Sequence, residues 1–180
     1  MVVALCISGL AIAADQIVPL DSQVVTSHEA PYPTRFSANF EITPSSEILD
    51  VLRRGIPLTF VLEVSITKDR WYWTDKKVTT KRERMRLSFN PLTRQYRISL
   101  GSLNHNFESL DQALQLISSV NNWLILEGVE LDPNDYEAKA RFYLDTSRLP
   151  KPLQVSMDRG PDWSMDTGWF NVKIVPIPGE

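Results

Sequence analysis

Polar and apolar residues alternate along much of the chain, and the alternation predicts strands. In Ile56 to Thr67 (IPLTFVLEVSIT), Leu58, Phe60, Leu62, Val64 and Ile66 fall on one face, and Thr59, Val61, Glu63, Ser65 and Thr67 on the other. Val78 to Phe89 repeats the pattern. Thr79, Lys81, Glu83, Met85, Leu87 and Phe89 point one way, and Arg82, Arg84, Arg86 and Ser88 the other. Asn90-Pro91-Leu92-Thr93 reads as a turn. Gln95 to Leu100 then returns with Tyr96, Ile98 and Leu100 inward and Arg97 outward with the other arginines. Tyr136 to Asp145 places Ala138, Ala140, Phe142 and Leu144 inward and Lys139, Arg141 and Tyr143 outward. Further strands are expected over Arg35 to Thr43, Leu153 to Asp158 and Gly168 to Val175, and Trp123 to Leu131 is ambiguous, with a strand as one reading.

Two segments carry helical spacing instead. Thr43-Pro44 fits a cap and a first-turn proline, Ile48, Val51 and Leu52 follow, and Gly55 is placed to stop the helix. Asn106 to Val120 has a capping Asn106 and an apolar stripe through Phe107, Leu110, Ala113, Leu114, Ile117 and Val120. Clean alternation favours antiparallel strands with one wet face, and two short helices cannot cover both sides. The expected fold class is therefore α+β, mostly β: an antiparallel sheet or open β-sandwich with two short helices.

The ends divide the chain. Val2 to Ala13 is apolar or small throughout, and Ala11-Ile12-Ala13 fits a cleavage site. At about twelve residues the run is short of the roughly twenty that span a bilayer. Residues 1–14 are read as a signal peptide, although no Lys or Arg precedes the apolar run. Residues 15–34 are read as an exposed lead-in, and residues 35–180 as one α+β domain. Cys6, the only cysteine, falls in the leader, so a mature chain starting after it has no disulfide, thiol nucleophile or cysteine-ligated zinc. The expected location is the periplasm or cell envelope, with no transmembrane helix in the mature chain.

Charge sharpens the picture. The net charge of the 180 residues is −3, yet Lys68 to Arg97 holds ten Lys/Arg against three Asp/Glu. Such asymmetry is one signature of a partner-facing surface. The candidate binding face is Arg82, Arg84, Arg86 and Arg97, edged by Trp71, Tyr72 and Trp73. Its competing explanation is a solvated sheet face with cross-strand Arg–Glu pairs, which the sequence favours on base rates. A nucleic-acid surface is not expected, because the aromatics precede the arginine strand instead of interleaving with it, and the leader points outside the cell.

Signals for catalysis are weak. His28 lies in the lead-in, and His105 is expected in a loop before the second helix. Asp158, Asp162 and Asp166 recur at helical spacing, but Gly160 and Pro161 break any helix there. No phosphate-binding glycine loop or nucleophile elbow occurs. No cofactor or metal is expected.

Several phrases occur together and in order: Trp71-Tyr72-Trp73-Thr74-Asp75, Leu92-Thr93-Arg94-Gln95-Tyr96-Arg97, Tyr136 through Leu144-Asp145, Leu149-Pro150-Lys151-Pro152-Leu153, Trp163 and Gly168-Trp169. Over about residues 35 to 175 the chain resembles a bacterial family classed as domain of unknown function 4390. The resemblance implies an exported protein encoded near a two-component sensor kinase, and it supplies no catalytic residues. Pro150 and Pro152 are expected to hold an extended, sheet-edge segment. The combined expectation is a non-enzymatic envelope binding or accessory module, with a membrane sensor protein or an anionic envelope ligand as partner. The alternatives are an envelope enzyme using Asp or Glu residues and a purely structural assembly protein.

Overall fold

The computed structural model describes residues 16–68, 76–157 and 165–177. Among the described residues nine strands form one curled sheet: β1 (Gln16–Thr26), β2 (Thr34–Thr43), β3 (Leu58–Lys68), β4 (Lys76–Asn90), β5 (Gln95–Leu100), β6 (Leu103–Phe107), β7 (Ser119–Leu126), β8 (Tyr136–Leu144) and β9 (Phe170–Pro176). Their order is β6-β5-β4-β3-β8-β9-β1-β2-β7. Neighbours are antiparallel except β1 and β9, which run parallel from Gln23↔Lys173 to Thr26↔Pro176. Strand β9 joins the two halves, pairing first with β8 through Phe170–Val172 and then with β1. The fold is α+β and mostly β, as its alternating strands predict.

The curl turns the two inner faces toward each other. Phe40 of β2 meets Phe142 of β8 with ring centroids 4.7 Å apart, and Phe142 lies 6.0 Å from Phe60 of β3. Phe60, Leu62, Val64, Ile66, Met85 and Leu87 are all buried on this side. Three short helices complete the described fold: α1 (Ser46–Arg53), α2 (Leu110–Ser118) and α3 (Lys151–Met157). Helix α2 buries Ala113 and Ile117 and packs against β2 and β7 from one half and β5 and β6 from the other. It thereby closes the open side between the two ends of the sheet.

Local chemistry moves several boundaries. Ser45, two residues beyond Thr43, caps α1 through its Oγ, and the helix ends at Gly55, whose φ of +83° suits glycine. Ser109 caps α2, so Asn106 and Phe107 belong to β6, and His105 lies on that strand opposite Ile98. The stretch expected as an exposed lead-in over residues 15–34 is instead largely β1, paired with β2 along its length. A register shift between Pro19 and Asp21 explains why it shows no period. Ile17 and Val24 are both buried although their numbers differ in parity, because one inserted residue flips the faces.

The strand expected over Leu153 to Asp158 is also corrected. Residues 151–157 form α3, a third helix. The Pro150 carbonyl accepts from the N–H groups of Leu153 and Gln154 at 2.9 and 3.3 Å. Pro152 sits in the first turn, where a helix needs no N–H donor, so the proline pair starts a helix and does not hold an extended edge.

Candidate functional site

The outer face of β5-β4-β3-β8 gathers the basic side chains. Register sets the rows: Arg82 opposes Glu63, Arg84 opposes Val61 and Arg86 opposes Thr59. On the other flank of β3, Tyr143 opposes Val61, Arg141 opposes Glu63 and Lys139 opposes Ser65. Arg97 of β5 opposes Ser88 of β4, so it joins the same face. Thr59, Val61 and Glu63 are nearly inaccessible although they point away from the core. Long side chains from both flanking strands explain this, since arginine and tyrosine cover surface with their stems and rings.

Three pairings organise the face. Glu63, whose side chain is 7% exposed, receives Arg82 Nε on Oε1 at 2.7 Å and the Tyr143 hydroxyl on the same oxygen at 2.8 Å. Burial pushes the Tyr143 hydroxyl pKa up, and its bond to the Glu63 carboxylate adds to the rise. Arg141 grips Asp166 through Nε, 3.0 Å from Oδ1, and through its terminal nitrogen, while its guanidinium lies 4.7 Å from the Tyr143 ring centre. Partial burial of Asp166 favours its neutral form. The Arg141 bonds and the Gly168 N–H outweigh it and hold the carboxyl below the usual aspartate range. Asp145 accepts from Ser147 and pairs with Arg148 at 3.4 Å.

Arg84 and Arg86 differ from these. Both are exposed, and neither makes an ion pair or hydrogen bond with another described residue. Arg86 borders a shallow depression with Thr59, Asp145, Ser147 and Arg148. Arg97 donates from Nε to the Asn106 side chain at 3.0 Å and has no acidic partner among the described residues. The expected arginine stripe is therefore assembled, but it is not uniform. Arg82 is committed to Glu63, and the arginines of the stripe without an acidic partner among the described residues are Arg84, Arg86 and Arg97.

Trp71, Tyr72 and Trp73, expected to edge this face, lie outside the described residues, as do Asp158 and Asp162 of the acidic series. Asp166 is committed to Arg141. His28 is held by Glu130 at 3.0 Å, far along the chain from the arginine strand. The Tyr143–Glu63 bond and the Arg141–Asp166 clamp were not anticipated. The outward parity of Tyr143 and Arg141 was the available signal, but the partners depend on which strands pair. Among the described residues, no helix is long and apolar enough to cross a membrane.

A curled, mainly antiparallel sheet with a cation-bearing outer face defines a β-rich α+β domain. The chain belongs to the family described as a domain of unknown function, DUF4390, whose model matches residues 23–173. No curated protein and no solved structure matches it.

Proposed function

We propose that the protein is a non-enzymatic binding or accessory module of the cell envelope that docks an acidic partner protein on its arginine face. The extracytoplasmic part of a membrane sensor is the first partner class to test. The observation carrying this reading is the contrast within one face. Among the described residues Arg84, Arg86 and Arg97 lack an anionic partner, while Arg82, Arg141 and Arg148 each have one. Unpaired guanidinium groups at neighbouring positions attract carboxylates and phosphates, and they raise the encounter rate with an acidic surface. The described carboxylates of the depression and its surroundings are engaged in pairing, which favours binding over acid–base chemistry. A small anionic envelope ligand is the second reading, favoured by the Thr59 and Ser147 hydroxyls beside Arg86.

The test is capture from an envelope extract with the wild type and an Arg84→Glu/Arg86→Glu double variant. Capture of an acidic protein that the variant loses, with the folded circular dichroism signal retained, supports the proposal. Equal capture by both overturns it. The compartment is checked by the intact mass of untagged protein after cell fractionation. A periplasmic species starting at Ala14 or Asp15 is expected, and a cytosolic species keeping Met1 contradicts the envelope reading.

A further inference from the structure

The described sheet ends at β6 on one side and at β7 on the other. Strand β7 is irregular: its pairing with β2 shifts twice, and Asn122 has a φ of +54°. Strand β6 is different. It pairs with β5 without a break from Leu100↔Leu103 to Tyr96↔Phe107. Its sequence, LNHNF, has no proline and no acidic or lysine side chain. Proline and charged side chains are among the devices that protect an edge strand.

The loop between β5 and β6 is Gly101-Ser102, with Gly101 at φ +53° and Ser102 outside the positive-φ region, as in a type II′ hairpin. In a two-residue hairpin the flanking pair, Leu100 and Leu103, exchanges backbone hydrogen bonds, and so does every second pair beyond it. Leu103, His105 and Phe107 therefore spend their backbone groups on β5. Asn104 and Asn106 turn theirs outward.

The side chains flanking this edge are sorted by face. On the outer face, Asn104 and Asn106 accept from Ser99 and Arg97, and Arg97 keeps its terminal nitrogens available. On the inner face the row is Leu103, 63% exposed, then the exposed His105 and the half-buried Phe107. We infer that β6 accepts an extended segment of the partner protein as a tenth strand, in which acidic side chains facing Arg97 alternate with apolar side chains facing Leu103 and Phe107. Backbone bonds to Asn104 and Asn106 supply the attachment, and the two faces read the alternation. This rests on the reading that the arginine face docks an acidic partner, and it adds the mode and the sequence pattern.

The experiment uses the full chain and a short synthetic peptide alternating valine and glutamate, with a valine–lysine peptide as control. Amide exchange and chemical shifts are followed residue by residue. The glutamate peptide is expected to slow exchange at Asn104 and Asn106, and the lysine peptide is not. Asn104→Pro removes an outward donor that the hairpin does not use, a position where an edge strand admits proline, and it is expected to weaken binding about tenfold or more. Leu103→Glu, at an exposed position, provides a second variant and is expected to weaken it as well.

Shifts at Arg84 and Arg86 with unchanged β6 amides overturn the edge inference and leave the arginine-face reading standing. Equal binding of both peptides overturns the alternating acidic pattern. Absence of any effect at β6 or at the arginines overturns both readings. A free protein that is dimeric, with Asn104 and Asn106 already protected and made monomeric by Asn104→Pro, assigns the edge to a second copy and overturns the inference.

Discussion

Arg82 and Glu63 are joined across β4 and β3 by a 2.7 Å contact from Nε to Oε1, with the glutamate buried and the arginine largely exposed. The pair is asymmetric, so removing either member has a different cost. Without Arg82 the carboxylate stays buried with only Tyr143 to satisfy it. Arg82→Glu is expected to destabilise the fold by about 2 kcal/mol, between the figures for exposed and fully buried pairs. Arg84→Glu should change stability by less than about 0.5 kcal/mol, since its side chain has no partner to lose. Urea unfolding of the two variants measures the difference, and equal midpoints would contradict the assignment of Arg82 to structure. Including Arg82 in a charge reversal would confound a binding test with loss of stability, so only Arg84 and Arg86 should be reversed.

The Arg141–Asp166 clamp predicts an acid limb in the stability profile. The folded protein holds the Asp166 pKa below its ordinary value. Its contribution is therefore present above the unfolded-state pKa and is lost as pH falls through the lower folded-state value. Asp166→Asn should remove part of this limb and cost about 1 kcal/mol at neutral pH. Thermal unfolding from neutral to acid pH checks it: wild type and variant should converge at the acid end.

Tyr143 gives the alkaline counterpart. Its pKa is raised, first by burial and then by the Glu63 carboxylate. The neutral hydroxyl is favoured in the fold, so its contribution is complete below the unfolded-state pKa and disappears as pH rises through the raised one. Tyrosinate absorbance should show one late-ionising component that Tyr143→Phe deletes. The substitution should also cost about 1 kcal/mol at neutral pH for the bond lost by a buried carboxylate.

Phe142 predicts how firmly the halves are joined. Its ring contacts Phe40 from the β1-β2-β7 half and Phe60 from its own. Phe142→Ala leaves a cavity at the junction and should cost about 3–5 kcal/mol. Chemical denaturation with tryptophan fluorescence measures the loss; a value below about 1 kcal/mol would show that the halves do not rely on this contact.

What the sequence disclosed follows from period-two parity. Along β3, β4, β5 and β8 the faces of Phe60, Met85, Ile98 and Phe142 can be read without coordinates, and so can the shared outward face of Arg84, Arg86 and Arg97. Parity does not reveal neighbours. That Glu63 lies between Arg82 and Arg141 depends on β8 pairing with β3 across a long stretch of intervening chain. Parity also fails where a residue is inserted, which hid β1 behind the shift at Pro19. A proline in a first turn is locally ambiguous, since it fits both an extended edge and a helix start. The pairing of Pro150 with Leu153 and Gln154 decided it. The Arg141–Asp166 clamp was hidden for the same reason as the Glu63 network, because a long-range partner leaves no local pattern.

The parallel pairing of β1 with β9 sets a condition on time. The first and last described strands are neighbours in the middle of the sheet, with Gln23 beside Lys173. A chain emerging from its N-terminus can form the β1–β2 hairpin early, but the place beside β1 stays vacant until β9 has been made. Closing such distant strands is slow relative to local hairpins. The late strand therefore acts as a clasp: before it arrives the two halves cannot be sealed to each other through β9.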